Sequence, residues 1–277
     1  MRFFKLLMAA VLMINFSSAA QKNPEPVVIH VVYQFVHVYN LNEKEKPVKK
    51  EMVLSVGKSS SRYIGAEVFD RVTRPVQVTM PNARVYQGKP VVMVNNQGAV
   101  INENIFQYPL AKSMSILTAL GNNSYITEAP LVPIRWKIES ETRQIGGFEC
   151  QKATGEFGGR VFTAWFAADL PFQNGPFKLW GLPGLILEAE DSKKEVRFLF
   201  KDIVKETDAS KKIDLMGAGP VKISYADYSK AKKAYQSDPE SFMQGQLSAN
   251  APKVTKMSTN GSDAGAKKIL SNPIELK

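Results

Sequence analysis

Short apolar runs and strict alternation, rather than helical spacing, dominate this chain. Val27 to Tyr39 is a long run of β-branched and aromatic residues, and Met52 to Val56 is a shorter one. Both runs predict strands. Between 134 and 201, apolar and polar residues alternate, and pairs of glycines interrupt the pattern. This stretch predicts an antiparallel meander of about five locally connected strands.

Helical signals are confined to two places. The serines at 59–61 can cap a short helix that runs to about Asp70. Residues 225–247 predict a longer helix, which Pro239 divides or bends, with Ser224 at its N-terminal cap. Apolar residues on both sides of 95–98 predict a β-hairpin. Together these elements predict a mainly β (α+β) fold with C-terminal helices.

The N-terminus has the order of a secretory signal peptide. Arg2 and Lys5 precede an apolar stretch from Leu6 to Phe16, and small residues follow at 17–20. We therefore expect residues 1–20 to be removed after Ala20 and the protein to be exported to the periplasm or cell surface. The apolar stretch is shorter than the roughly 20 residues that a membrane-spanning helix needs, so we do not expect a transmembrane protein.

Composition limits the remaining possibilities. Residues 21–248 predict a single domain, whereas 249–277 lack periodicity and predict a disordered tail. The net charge is +10, but the lysines are scattered or paired, so attraction to anionic lipids or glycans is expected rather than nucleic-acid binding. Cys150 is the only cysteine, so no intrachain disulfide forms and core packing must stabilise the fold.

The most distinctive segment is a loop rich in proline and glycine, Asn174 to Leu187, that leads into a strand. Pro183 and Gly184 predict the two central positions of a type II turn, because proline presets the first φ and glycine takes the positive second one. The strand that follows is expected to be buried.

Several spaced blocks, centred on 134–191, resemble the GLPGLI family. They are Trp136-Lys137-Ile138, Ile145 to Ala153, Gly159-Arg160, Ala164-Trp165, Leu170-Pro171, Gly175-Pro176 and Gly181-Leu182-Pro183-Gly184-Leu185-Ile186. Weaker resemblance extends to 52–54 and 272–276, and Trp180 stands where the family has phenylalanine. The resemblance implies an exported envelope protein of Bacteroidetes. It also implies a curved sheet forming an incomplete, bowl-like β-barrel, similar to the domain that precedes the catalytic part of some bacterial peptide-N-glycosidases.

Candidate catalytic groups are few. His30 and His37 are seven residues apart on one predicted strand, so they point to opposite faces and do not predict a metal pair. Cys150 has no neighbouring histidine in sequence and predicts a buried structural thiol. Four carboxylates flank the loop and could hydrolyse a glycosidic bond if two of them faced each other about 5–10 Å apart. They are Asp169, Glu188, Glu190 and Asp191.

The favoured hypothesis is a non-enzymatic binding or carrier protein without a cofactor or metal. Its ligand would be apolar, peptide or glycan, and the pocket would be bordered by Trp136, Arg160, Trp165, Trp180, Leu182 and Pro183. The opposing interpretation is that the three tryptophans simply fill the core. Two further alternatives are a hydrolase of envelope or dietary polymers that uses the paired carboxylates, and an interaction partner of an outer-membrane complex that docks through the loop.

Overall fold

The computed structural model describes residues 24–73, 85–86, 89–90, 103–121, 123–215, 220–246 and 272–276. The predicted signal peptide, the predicted hairpin around 95–98 and residues 249–271 of the predicted tail lie outside these residues. The described strands are β1 (Glu25–Pro26), β2 (Ile29–His37), β3 (Val48–Val56), β4 (Ser61–Gly65), β5 (Val85–Tyr86), β6 (Lys89–Pro90), β7 (Glu103–Tyr108), β8 (Ser113–Leu120), β9 (Asn123–Pro130), β10 (Lys137–Ile145), β11 (Phe148–Phe157), β12 (Arg160–Ala167), β13 (Leu185–Asp191), β14 (Val196–Lys205), β15 (Lys212–Ile213) and β16 (Val221–Lys222). The helices are α1 (Ala66–Thr73), α2 (Tyr225–Ser237) and α3 (Pro239–Gly245), with a 3₁₀ turn at Pro109–Ala111.

One large sheet organises the described residues. Its twelve strands run in the order β10-β11-β12-β13-β14-β2-β3-β4-β7-β8-β9-β16, and the sheet is not closed into a barrel. All neighbours are antiparallel except β16 and β9, which pair in parallel. The mainly β prediction is therefore confirmed. The predicted meander is also confirmed, because β10 to β14 are neighbours in chain order.

The two faces of the central strands differ because successive side chains point to opposite sides of a strand. On one side, Val31, Tyr33, Leu54 and Tyr63 are at most 1% exposed and form part of the main hydrophobic core. We call this side the core face. The other side of the same strands carries a polar row, described below, and we call it the groove face.

The predicted helix after the serines at 59–61 is wrong over its first half. Residues 61–65 form β4 instead, because Ser61 and Tyr63 alternate into the core while β4 pairs with β3. The helix α1 begins only at Ala66. Ser59 and Ser60 cap no helix; their backbone N–H groups donate to the carboxylate of Glu25.

The C-terminal helices form as predicted. The Ser224 hydroxyl accepts from the backbone N–H of Asp227 at 3.1 Å, and Pro239 separates α2 from α3. The Tyr228 hydroxyl donates to the carboxylate of Glu103, which ties α2 to β7. No helix within the described ranges is both long and apolar enough to cross a membrane.

Candidate functional site

The backbone conformation of the loop 174–184 differs from the predicted type II turn. Gly184 does not adopt a positive φ, so the type II turn prediction at Pro183-Gly184 is wrong; Gly181 has φ +94° instead. A Cβ at Gly184 would overlap the carbonyl oxygen of Ala167. Glycine is therefore required at 184 by close backbone contact, and at 181 by conformation.

This loop packs on the core face. The Phe177 carbonyl accepts from Gln107 Nε2 at 3.0 Å, and Asn174 Nδ2 donates to Ser61 Oγ at 3.0 Å. Leu182 is 1% exposed, whereas Pro183 is exposed. The loop thus fills space above β4 and β7, and it exposes little apolar surface for docking a second protein.

Gly175 and Pro176, which also belong to the signature, help the loop to pack on the core face. A Cβ at Gly175 would lie 2.8 Å from Ile186 Cδ1, so a side chain there would displace the buried strand residue. The carbonyl of Pro176 accepts from the backbone N–H of Leu179 at 3.1 Å, which closes the turn that carries Phe177. Leu185 is fully buried at the start of β13, as the sequence predicted.

The three tryptophans do not gather in one place. Trp136 Nε1 donates to the Trp180 carbonyl, and Trp180 Nε1 donates to the Val132 carbonyl, each at 2.8 Å. Trp165 points to the opposite side of its strand from the buried Ala164. The guanidinium carbon of Arg143 lies over the Trp165 ring, 4.1 Å from the ring centre. A cavity of about 180 Å³ lies beside Val132, which accepts the hydrogen bond from Trp180. It is smaller than the ~300 Å³ typical of a ligand pocket.

Arg160 has all of its nitrogens engaged within the chain. Nη1 donates to Asp191 at 2.7 Å and to Glu195 at 3.3 Å, and Nε donates to the Ile274 carbonyl at 2.9 Å. Nη2 donates to the side-chain oxygen of Asn272 and to the Pro273 carbonyl. Since the side chain is only 3% exposed, Arg160 positions the C-terminal residues rather than an anionic ligand.

The carboxylates near the loop lie on both sides of β13. Asp191 lies against Arg160 and accepts from the backbone N–H of Val196, whereas Glu188 pairs with Arg143 on the opposite side of β13. Glu190 shares the side of Glu188, and Asp169 is exposed in the turn after β12.

The single thiol is buried as predicted. Cys150 has no exposed surface, and burial raises its pKa to about 11. A thiol with so high a pKa holds little thiolate at neutral pH, so it is a poor nucleophile.

A cavity of about 630 Å³ with convergent polar groups lies on the groove face. We call it the groove. It lies between β2, β3 and β4, helix α1 and the 206–214 segment. Its lining residues are Val27, His30, Val32, Glu51, Val53, Ser55, Arg62, Ala66, Phe69, Asp70, Val204, Glu206, Ser210, Lys211, Lys212, Ile213 and Asp214. A neighbouring cavity of about 690 Å³ lies on the other side of α1.

Strand register places a polar row across the groove. His30 pairs with Ser55, and Ser55 pairs with Arg62, so the three side chains lie side by side on adjacent strands. The Arg62 guanidinium packs over the ring of Phe106, 5.3 Å from its centre, and its buried Nε has no hydrogen-bond partner. Burial lowers the pKa of Arg62 from its usual value, although nearby Asp214 opposes the shift.

His30 links this row to the 206–214 segment. Its Nδ1 lies 2.9 Å from Ser55 Oγ, and its Nε2 lies 3.1 Å from Glu206 Oε2. Because a carboxylate only accepts, neutral His30 donates from Nε2 to Glu206 and accepts from the Ser55 hydroxyl at Nδ1. Hydrogen bonds from the backbone N–H of Asp208, and from His30, lower the pKa of Glu206, which keeps it ionised.

Nothing near His30 in the sequence indicates a partner for its side chain. Ser55 was visible as the one polar residue of the apolar run 52–56, and Arg62 as a charged residue next to aromatic Tyr63. Neither signal identifies His30 as the partner, because the register of β2, β3 and β4 decides that contact. The opposite orientation of His37 is as predicted: its Nε2 donates to the Asn272 carbonyl at 2.7 Å on the core side.

Comparison with known proteins supports the fold and little more. Residues 158–188 match the family model Porph_ging, described as a protein of unknown function. Two solved structures of PNGF-II, in space groups C2 and P21, are similar at 15% and 14% identity, with TM-scores of 0.52 and 0.53. Each covers 77% of this chain, which itself spans about a third of their length (33% and 34%). No curated protein matches the chain.

Proposed function

We propose that the protein is an exported, non-enzymatic binding protein that holds an amphipathic ligand in the groove. The single observation that carries this proposal is the groove itself. Its volume of about 630 Å³ lies within the range of ligand pockets, roughly 300–1,000 Å³. Export rests on the signal-like residues 1–20, and the location is the periplasm or the cell surface.

The chemistry of the groove limits the class of ligand. Val32, Val53 and Phe69 provide an apolar floor, which favours an apolar ligand body. Arg62 offers a buried guanidinium Nε without a partner, which favours an anionic group in the ligand. An acylated or peptide-like molecule with a carboxylate, phosphate or sulfonate group combines both features.

The same proposal holds that the sheet bends into an open bowl. Residues 131–136 connect Pro130 at the end of β9 to Lys137 at the start of β10. Among the described strands, nine others separate these two in the sheet order. In a flat sheet β9 and β10 would lie about 48 Å apart, at ~4.8 Å per strand. A connection of this length spans at most about 25 Å, which supports strong curvature.

An amphipathic dye with an apolar body and a sulfonate, 8-anilinonaphthalene-1-sulfonate, tests the groove directly. Fluorescence titration of the full chain should show saturable binding. Arg62→Met should weaken it by about 10–100-fold, since a hydrogen bond to a charged group contributes about 1.5–3 kcal/mol. Val32→Trp should abolish it by filling the floor, and Val161→Trp, at an exposed strand position, is the matched control. Equal dye binding by all four proteins would contradict the proposal.

Native mass spectrometry of the purified chain identifies the natural ligand. We expect an added mass that is lost on denaturation and is absent from Val32→Trp. An empty wild-type protein that also fails to bind on lipid, glycan and peptide arrays would count against a carrier function.

A second candidate function, acyl hydrolysis, is favoured by the Ser55–His30–Glu206 contacts. This candidate differs from a hydrolase that uses the loop carboxylates, because these three groups have the order nucleophile, base and orienting acid. Ser55 Oγ would attack an ester carbonyl and pass its proton to His30 Nδ1. His30 would then protonate the leaving alkoxide, and water would release the acyl group from Ser55. Arg62 is the residue paired with Ser55 on the adjacent strand β4. Its positive charge would stabilise the developing oxyanion.

Hydrolysis of p-nitrophenyl acetate tests this alternative. The full chain should release p-nitrophenol above the buffer rate, and Ser55→Ala and His30→Gln should each return the rate to background. A fluorophosphonate probe should label Ser55 in the wild type, as mapped by peptide mass spectrometry. Turnover that persists in Ser55→Ala, or no labelling of Ser55, would exclude the trio as a catalytic centre and leave it as a structural link between strands.

A further inference from the structure

The C-terminal residues 272–276 bind to the folded domain in the manner of a peptide ligand. Residues 247–271 separate them in sequence from α3, and their hydrogen bonds to the described residues reach partners at least 77 positions earlier in the chain. The surface that receives them consists of His37, Val38, Tyr39, Gly158, Arg160, Lys178 and Glu195. We call this surface the C-terminal cleft.

The cleft recognises Asn272 through every polar group of that residue. Its backbone N–H donates to the Tyr39 carbonyl at 2.8 Å, and its carbonyl accepts from His37. Its side-chain oxygen accepts from Arg160. Its Nδ2 donates to the Val38 carbonyl at 2.8 Å and to Glu195 at 3.1 Å. Asparagine fits this pattern, whereas aspartate would place a carboxylate against two acceptors.

The following residues are held by a second set of contacts. Arg160 donates to the carbonyls of Pro273 and Ile274, at 2.8 and 2.9 Å. Lys178 Nζ, on the signature loop, donates to Glu275 at 2.6 Å. The Leu276 backbone N–H donates to the Gly158 carbonyl at 2.7 Å.

The burial of the charged groups shows how specific this contact is. As whole residues, Arg160 and Lys178 are 5% and 4% exposed, and both donate hydrogen bonds to the bound segment. Charged groups are rarely buried unless paired, and here part of the pairing is supplied by residues remote in sequence. Without the segment, the cleft would retain donors aimed at carbonyls and a carboxylate that are no longer present.

We propose that the C-terminal cleft is a peptide-binding site specific for Asn-Pro-Ile-Glu, occupied by the chain's own residues 272–275 and able to take the same sequence from a second copy. The site is independent of the groove, because no residue of the cleft lines the groove. A ligand held through main-chain carbonyls plus specific side-chain contacts is a common mode of peptide recognition.

A labelled peptide of the natural sequence Ser271 to Lys277 tests the proposal by fluorescence anisotropy. In the wild-type chain the tethered segment competes at an effective concentration on the order of millimolar, so binding in trans should be weak. Asn272→Asp and Glu275→Lys in the full chain weaken the tethered segment but leave the cleft unchanged. Both hosts should therefore bind the natural peptide about tenfold tighter, or more, than the wild type does.

The negative control is the same peptide with aspartate in place of asparagine. It should bind neither host, because its carboxylate faces the Val38 carbonyl and Glu195. Circular dichroism and the urea unfolding midpoint establish that each host is folded, and Glu275→Lys is the milder change because Glu275 is partly exposed. Failure of the natural peptide to bind a folded host, or equal binding of both peptides, would overturn the proposal.

Discussion

Replacing Arg160 by methionine is the sharpest test of how the domain holds its C-terminal residues. Methionine keeps much of the aliphatic length but removes the charge and all of the donors. The guanidinium contacts two carboxylates, one amide oxygen and two carbonyls, and its side chain is 3% exposed. The largest consequence concerns Asp191, which is 2% exposed and loses its only cationic partner among the described residues.

The expected loss of unfolding free energy is about 3–5 kcal/mol, the usual effect of removing one partner of a buried ion pair. The loss does not reach the sum of the separate hydrogen bonds. Asp191 keeps the backbone N–H of Val196, and Glu195 keeps contacts with Asn272 and Lys44. With a urea m-value of about 3 kcal/mol/M, the unfolding midpoint should fall by about 1 M or more.

The assay is urea unfolding followed by tryptophan fluorescence, with Lys201→Met as the matched control. Lys201 pairs with Glu51 at the surface, where loss of an ion pair costs less than about 1 kcal/mol. Adding Asp191→Asn to Arg160→Met should recover part of the stability, because it removes the uncompensated charge. If Arg160→Met lost no more stability than Lys201→Met, the buried cluster would not stabilise the fold as argued.

Three further predictions concern other buried positions. Gly184→Ala should lower the free energy of unfolding by about 1–3 kcal/mol, because the new Cβ would meet the backbone of Ala167. Gly65→Ala has open space around it and should change stability by less than about 0.5 kcal/mol. Similar urea midpoints for the two variants would contradict this prediction. Burial lowers the pKa of His37 below its ordinary value of 6.5, so the unfolded chain takes up the proton first as pH falls through 6.5, and the folded state loses stability. His37→Gln should therefore lose less unfolding free energy than the wild type between pH 7.5 and 5.5. Equal losses would refute the assignment. Cys150 should react with a disulfide reagent at pH 8 more than about 100-fold slower in the folded chain than in urea, and comparable rates would contradict its burial.

Much of the secondary structure could be predicted because it follows from local rules. Alternation of apolar and polar residues between glycine turns identifies β11 to β14, and the proline at 239 fixes where the C-terminal helix divides. The helix prediction at 59–70 failed over 61–65 because the three serines fit the end of a strand as well as they fit the cap of a helix. Pairing with β3, a tertiary contact, decided between the two.

The candidate sites were only partly predictable. Arg160 and Trp180 lie within the segment that carries the resemblance, and both residues are buried. Arg160 contacts the C-terminal residues, and Trp180 completes the packing of the loop through Val132. Nothing in the local sequence indicates that the guanidinium meets a segment more than 100 positions away.

The sequence alone determined strands β2 and β3, strands β11 to β14 and the orientation of the two histidines, because each depends on residues within a few positions of one another. Only the tertiary structure decided that Glu206 meets His30 across 176 positions and that Ser55 and Arg62 complete the row. The physical reason is that strand register is a property of paired strands. A shift by one residue would send every one of these side chains to the opposite face.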